Sequence, residues 1–382
     1  MVTPKPFSLR ELAPAHVREI APYVPGKPVS ETARELGLAE SDILKLASNE
    51  NPLGSSPRAI EALRGALGDL AWYPDGSGHD LKAAICARLA VRPENIVLGN
   101  GSNDVLELAA RTFLTPADSA VFSRHAFMVY PLVVKAVGAR GIEVPAKDYG
   151  HDLDAMAAAI RPDTKIVFIA NPNNPTGTFL PWEPVRDFIA RVPPTTLVVM
   201  DEAYGEYLPP PLQSPSVGWI ASFPNLVVSR TLSKAYGLAG LRVGFGIAHP
   251  DVAELMNRVR QPFNVNHLAM VAACAALGDE AFIAESRRVN AAGLEQLAAG
   301  FERLGLPFIP SSGNFVAVRV GDAARIYADL LRQGVIVRPI AGYGMPEHLR
   351  VTVGTAAQNE RFLAALERAL KGAPSTAGPA TP

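Results

Sequence analysis

Seven short strand-like runs, most of them almost wholly apolar, constrain this chain more than any other feature. They are "NIVLGN", "SAVFSR", "GIEVPA", "TKIVFIA", "TTLVVM", "NLVVSR" and "RVGFGIA". A strand that is apolar on both faces must be covered on both faces. That is the condition of a mostly parallel sheet clothed by helices. The intervening segments supply them: "HDLKAAICARLA", "SNDVLELAARTFL", "MVYPLVVKAVGA", "DLDAMAAAI" and "EPVRDFIARV" all read as helices. The last two runs follow one another with little helix between them, so one antiparallel strand is expected within the sheet. The fold class is α/β, with a large, mostly parallel sheet of seven strands between helices.

After about residue 251 the pattern changes to longer helices and a few strands, such as "FVAVRV" and "LRVTVG". This predicts a smaller α+β unit, packed with the N-terminal segment and its helix "SETARELGL". The expected organisation is a large domain over 46–265, a small domain from 1–45 and 266–372, and a disordered Pro/Ala/Thr-rich tail over 373–382. The 382 residues are 48% hydrophobic and 19% charged, enough to bury a sizeable core. A net charge of −1 without any basic block argues against a nucleic-acid partner. The N-terminus lacks the apolar core of an export signal, and no apolar run approaches the ~20 residues of a membrane helix, so a cytoplasmic protein is expected. Cys86 and Cys274 form no CxxC and read as reduced core thiols. The histidines include no HxxxH pair, and no metal site is expected; His79 reads as a local hydrogen-bond partner.

In parallel α/β sheets, ligands bind beyond the carboxyl ends of the strands, so those ends hold the candidate residues. "GSND" after the first strand puts Ser102 and Asn103 at a helix N-terminus, which is either an ordinary cap or an anion site. "GNG" is not GxGxxG, and GxxxxGK[ST] is absent. "NPNNPTG" after "TKIVFIA" is a rigid loop that holds Asn173 and Asn174, either as a plain turn or as ligand-facing amides. "DEAY" sets Asp201 at the tip of a very apolar strand, where a carboxylate needs a cation or N–H partner; a capping role remains open. Tyr204 follows within a turn. "NLVVSRTLSKAYG" gathers Ser229, Thr231, Ser233 and Lys234. An amine beside hydroxyls and an apolar strand is partly desolvated, which lowers its pKa and makes it a better nucleophile. Arg242 opens the next strand, where a guanidinium suits an oxyanion; a solvated hairpin end is the alternative.

One chemistry uses all these parts. A lysine that forms a Schiff base, an acid facing a pyridinium nitrogen and an anion cup together describe a pyridoxal 5′-phosphate site. The order "NPNNPTG … DEAY … SRTLSKAYGLAGLRVG" resembles the aspartate-aminotransferase-like superfamily of fold type I. "PYVPGKP", "LASNENPLGSSP", "YPDG" and "LRVTVGT" resemble the histidinol-phosphate aminotransferases, over residues 22 to 370.

That resemblance implies roles. Lys234 carries the cofactor and shuttles the proton, Asp201 pairs with the ring nitrogen, and Asn174 and Tyr204 bond the ring hydroxyl. Ser102, Asn103, Thr231, Ser233 and Arg242 hold the phosphate. Phe127 stacks on the ring; many relatives carry tyrosine there, and phenylalanine keeps the stacking without the hydroxyl's hydrogen bond. Tyr73 reaches the phosphate of a neighbouring subunit, which implies a homodimer. Arg350, helped by Arg338 and Tyr23, binds the substrate anion, with Asn174 also facing substrate. The implied reaction is transamination between L-histidinol phosphate and 2-oxoglutarate in histidine biosynthesis. An aromatic amino-acid aminotransferase or a decarboxylase of a phosphorylated amino acid would share the same cofactor motifs. An effector-binding domain that keeps the cofactor as a ligand is a third reading, which the presence of both Lys234 and Asp201 opposes.

Overall fold

The computed structural model describes residues 8–22 and 26–372. Tyr23 and the 373–382 tail lie outside the described residues. In chain order the strands are β1 (Leu44–Lys45), β2 (Ile96–Gly99), β3 (Ser119–Ser123), β4 (Arg140–Val144), β5 (Thr164–Ala170), β6 (Leu197–Asp201) and β7 (Leu226–Thr231). They continue with β8 (Gly244–Ala248), β9 (Phe308–Ile309), β10 (Phe315–Arg319), β11 (Val335–Ile336), β12 (Arg338–Pro339) and β13 (His348–Thr352).

β2 to β8 form one seven-stranded sheet in the order β2-β8-β7-β6-β5-β3-β4. β8 runs antiparallel to both its neighbours and every other pairing is parallel. The single reversal falls where the sequence lacks a crossover helix. One core layer packs Val167, Ile169, Val198, Met200 and Val228 against one set of helices. The other packs Ile166, Phe168, Val199 and Val227 against the opposite set. Side chains alternate along each strand, so two-sided burial requires the continuous apolar runs seen in the sequence.

The smaller unit is a four-stranded antiparallel sheet, β12-β13-β10-β9, with the two-residue pair β1-β11 beside it. Its core is built from Val316, Val318, Leu349 and Val351 with Phe301, Phe362 and Leu366 from two long helices. The boundaries expected at 45 and 265 shift. Helix His267–Leu277 is rich in alanine and packs its Ala269, Ala272 and Ala273 into the large core against helices Pro57–Ala66 and His79–Leu89. The handover therefore falls in the long helix Glu280–Arg303, whose Ile283 sits in the large core and Leu297 in the small one. At the N-terminal end, helix Ala15–Arg18 packs on the large unit's helix Val129–Val137, and Lys135 pairs with Glu19. The stretch from Val29 onward joins the small unit, through Ala33, Ile43 and Ala47.

Among the described residues, no single helix is long and apolar enough to cross a membrane.

Candidate active site

The carboxyl ends of β2, β5, β6 and β7 open into one cavity of about 170 Å³, closed on its far side by the small unit. Of the residues singled out above, Ser102, Asn103, Phe127, Asn174, Asp201, Tyr204, Thr231, Ser233, Lys234, Arg242, Arg338 and Arg350 line it. Tyr73 does not. It is 84% exposed, with its ring stacked on Phe263 at 4.9 Å.

Asp201 is the last residue of β6 and is buried. Its Oδ2 accepts from the Tyr130 hydroxyl at 2.9 Å and its Oδ1 from the Ala203 N–H at 3.2 Å. Burial, only partly offset by these bonds, pushes its pKa up to about 6. Lys234 follows β7, and its Nζ donates to the Ser48 carbonyl at 3.0 Å. Burial first, and then the Arg350 guanidinium, lower its pKa to about 7, the direction a desolvated nucleophilic amine requires.

Beside them is an anion cup. Helix Ser102–Phe113 starts at the end of β2 after Gly101, whose φ of +83° is open to glycine. A Cβ on Gly101 would lie 2.7 Å from Arg242 Nη2, and one on Gly244 only 2.6 Å from the Ser102 nitrogen. Two glycines thus let Arg242 and the strand close on the helix N-terminus. Arg242 itself sits at φ +57°, in the turn before β8 rather than in the strand, and donates to Ser233 Oγ at 3.3 Å and Ala239 O at 3.0 Å. Among the described residues no carboxylate pairs with it. A guanidinium, the hydroxyls of Ser102, Thr231 and Ser233, and a helix N-terminus make a site for a phosphate-sized anion.

The opposite wall comes from the small unit. Arg338 and Arg350 are cross-strand partners on β12 and β13. Arg350 is buried, with Nη1 donating to Asn174 Oδ1 at 2.6 Å and Nη2 to the Ala47 carbonyl at 2.8 Å. Its guanidinium also lies over the Phe315 ring at 5.4 Å.

Three contributors were not singled out in the sequence. Asn49, within the quoted "LASNENP", donates its Nδ2 to the Tyr204 hydroxyl at 2.9 Å. Tyr343 lines the cavity from a turn of the small unit. Tyr130 is a lone hydroxyl in the apolar helix "MVYPLVV", and that isolation was its only signal. Conversely, Ser229 lies inside β7 rather than beyond it and does not line the cavity.

Comparison with known proteins agrees with this geometry. Residues 41–366 match the family model "Aminotransferase class I and II". The chain is 62% identical over 362 residues to histidinol-phosphate aminotransferase 1 of Thiobacillus denitrificans, covering 95% of this chain and 94% of the relative. It is 60% identical over 366 residues to histidinol-phosphate aminotransferase 2 of Nitrosospira multiformis, covering 96% and 93%. Among solved structures, histidinol-phosphate aminotransferase from Sinorhizobium meliloti in complex with pyridoxal-5′-phosphate superposes with a TM-score of 0.86 at 30% identity, covering 94% of this chain and 97% of that one.

Proposed function

This chain belongs to the histidinol-phosphate aminotransferases, within the class I and II aminotransferase family, and from that premise we propose that it transfers the amino group of L-histidinol phosphate to 2-oxoglutarate, with pyridoxal 5′-phosphate as cofactor. The products are imidazole acetol phosphate and glutamate, in a step of histidine biosynthesis. One observation carries the reading: the Lys234 amine and the Asp201 carboxylate open into the same cavity as an anion cup whose guanidinium has no carboxylate partner among the described residues. The glycine-lined closure at Gly101 and Gly244 supports the fit of a phosphate there, and the buried Asp201 supports that of a ring cation.

Ser102, Asn103, Thr231, Ser233 and Arg242 would hold the cofactor's phosphate, and Phe127 would cover a face of its ring. When bound, the cofactor supplies a sink for the electrons released at the substrate Cα. Asp201 would hold the positive charge of the ring nitrogen, because a carboxylate in so dry a site is best stabilised beside a cation. Tyr204 already accepts from Asn49, which leaves its own proton to donate to the ring hydroxyl. Asn174 has its oxygen engaged by Arg350, which leaves its amide N–H groups for the same oxygen or for substrate. Lys234, whose amine burial makes easier to deprotonate, would take the proton from Cα at Nζ and hand it back. Arg350, with Arg338 opposite, would bind the substrate anion. A guanidinium forks equally well to a phosphate in one half-reaction and a carboxylate in the other.

A homodimer completes the assignment. Tyr73 sits among exposed Leu70, Trp72 and Phe263, an apolar patch suited to a second copy, from which it would reach the neighbour's phosphate cup. The free thiols of Cys86 and Cys274 support a cytoplasmic setting.

Lys234→Ala is expected to lose the cofactor's imine absorbance and most turnover, and borohydride followed by peptide mapping should label Lys234 in the wild-type protein. In single half-reactions histidinol phosphate should convert the cofactor faster than phenylalanine does. A faster reaction with phenylalanine would replace the proposed substrate with an aromatic amino acid.

A further inference from the structure

The Asp201 carboxylate has no ion-pair partner from the protein among the described residues; each of its oxygens instead accepts from a neutral donor. One donor, the Ala203 N–H, is backbone. The other is Tyr130, which is fully buried and does not line the cavity. It lies in the first turn of helix Val129–Val137. Its ring stacks on Phe168 of β5 at 4.8 Å and 6°, and meets Phe127 edge-on at 5.9 Å. The phenol is thus clamped between the sheet and the ring that lines the cavity, with its hydroxyl aimed at Asp201 from behind.

We propose that Tyr130 is a positioning residue that keeps Asp201 ionised and aimed at the cofactor's ring nitrogen. This rests on the pyridoxal-phosphate reading given above. Packing alone would be met by phenylalanine; the hydroxyl is what the position adds. Donation to a carboxylate favours its charged form, and only that form can stabilise a ring cation. The other groups around Asp201 do not replace this bond. Glu202, next in the chain, is turned to Arg230. Lys234 is held on the Ser48 carbonyl, and Tyr204 is bonded to Asn49. Deleting the hydroxyl leaves burial less opposed, so the carboxyl protonates at higher pH and offers the ring nitrogen less charge.

The test is Tyr130→Phe, which keeps the stacked ring. Apoprotein of each form is titrated with pyridoxal 5′-phosphate from pH 5 to 9 by equilibrium dialysis, and Lys234 labelling by borohydride is mapped in both. The ligand's own phosphate titration is common to the two proteins and cancels. The acid limb of the affinity profile should move up by about half to one pH unit in the variant, the size of one hydrogen bond's contribution. Turnover should fall about tenfold with KM within about twofold, since the lost charge acts in the transition state. In an Asp201→Asn background, which has no titrating group at this position, Tyr130→Phe should leave the affinity profile unmoved. Label at Lys234 with an unmoved acid limb, or a shift that persists in the Asp201→Asn background, overturns the role of Tyr130. No label at Lys234 in the wild-type protein overturns the cofactor reading and this proposal with it.

Discussion

Asp201 and Glu202 are consecutive, buried carboxylates at the end of the same strand, yet their surroundings are opposite. Asp201 faces the cavity with two neutral donors. Glu202 faces away, into a cluster of charged and hydroxyl side chains. Its Oε2 pairs with Arg230 at 2.8 Å, and its Oε1 accepts from Ser214 and Ser216. Arg230 also approaches Glu206 at 3.8 Å, and Arg287 Nε donates to the Glu206 carbonyl at 3.1 Å. Strand alternation sends the two side chains to opposite sides, and the protein completes only one of them. The cavity side is left short of a cation that a ligand can supply. The rear side is neutralised within the chain, which ties β6 to β7 (Arg230 precedes Thr231) and holds both strand ends for the site.

Removing the cation from the rear cluster should have the largest effect on stability. Arg230→Met would leave Glu202 and Glu206 buried without their paired cation, at a cost of about 3–5 kcal/mol. Denaturant unfolding of the apoprotein would read it, and adding Glu202→Gln should recover part of the loss. Wild-type stability in the single variant would break the contrast, because Glu202 would then depend on a cation from the chain no more than Asp201 does.

Asp201→Asn should act the other way. Turnover should fall by about 10²–10³, the usual cost of one preorganised electrostatic partner. The apoprotein, however, should gain stability at pH 8. The folded-state pKa of about 6 exceeds the ordinary 3.8, so the native state holds its proton more tightly than the unfolded chain does. Stability therefore drops as pH rises from about 4 to 6, and the loss persists above that range. Replacing the acid should restore on the order of 2–3 kcal/mol at pH 8 and close to nothing at about pH 3, where both states are largely protonated. Thermal melts at the two pH values check the sign. A loss at pH 8 would mean that the cavity carboxylate is already satisfied without ligand.

The same contrast explains what could be read from the sequence. Lys234, Asp201, Asn174 and Arg242 were legible because each follows or precedes an apolar run, so its place at a strand end is a local property. The reversal of β8 was legible from the missing helix before it. Tyr130, Asn49 and Tyr343 were not, because their meaning depends on contacts between segments far apart in the chain, such as the bond from Asn49 to Tyr204. Arg230 and Glu202 were hidden differently. They sit beside the residues that drew attention, and only the pleat reveals that they point away from the cavity. The unit boundary at 265 was misplaced because "HLAMVAACAALG" is apolar on nearly every face, so its pattern does not say which core it joins.

Ser216→Ala is the finest probe of the separation between the two sides. Ser216 is fully buried, and its hydroxyl is one of two that donate to Glu202 Oε1. Its removal leaves Ser214 and Arg230 in place, so the carboxylate stays paired and the loss is that of a single hydrogen bond, about 1 kcal/mol. If the rear cluster serves only to hold the strand ends, turnover should stay within about twofold of wild type while the unfolding midpoint drops slightly. A larger fall in turnover at nearly unchanged stability would show that small movements of Glu202 reach Asp201 through the one peptide between them. The two carboxylates would then form one coupled unit rather than two sides of a strand.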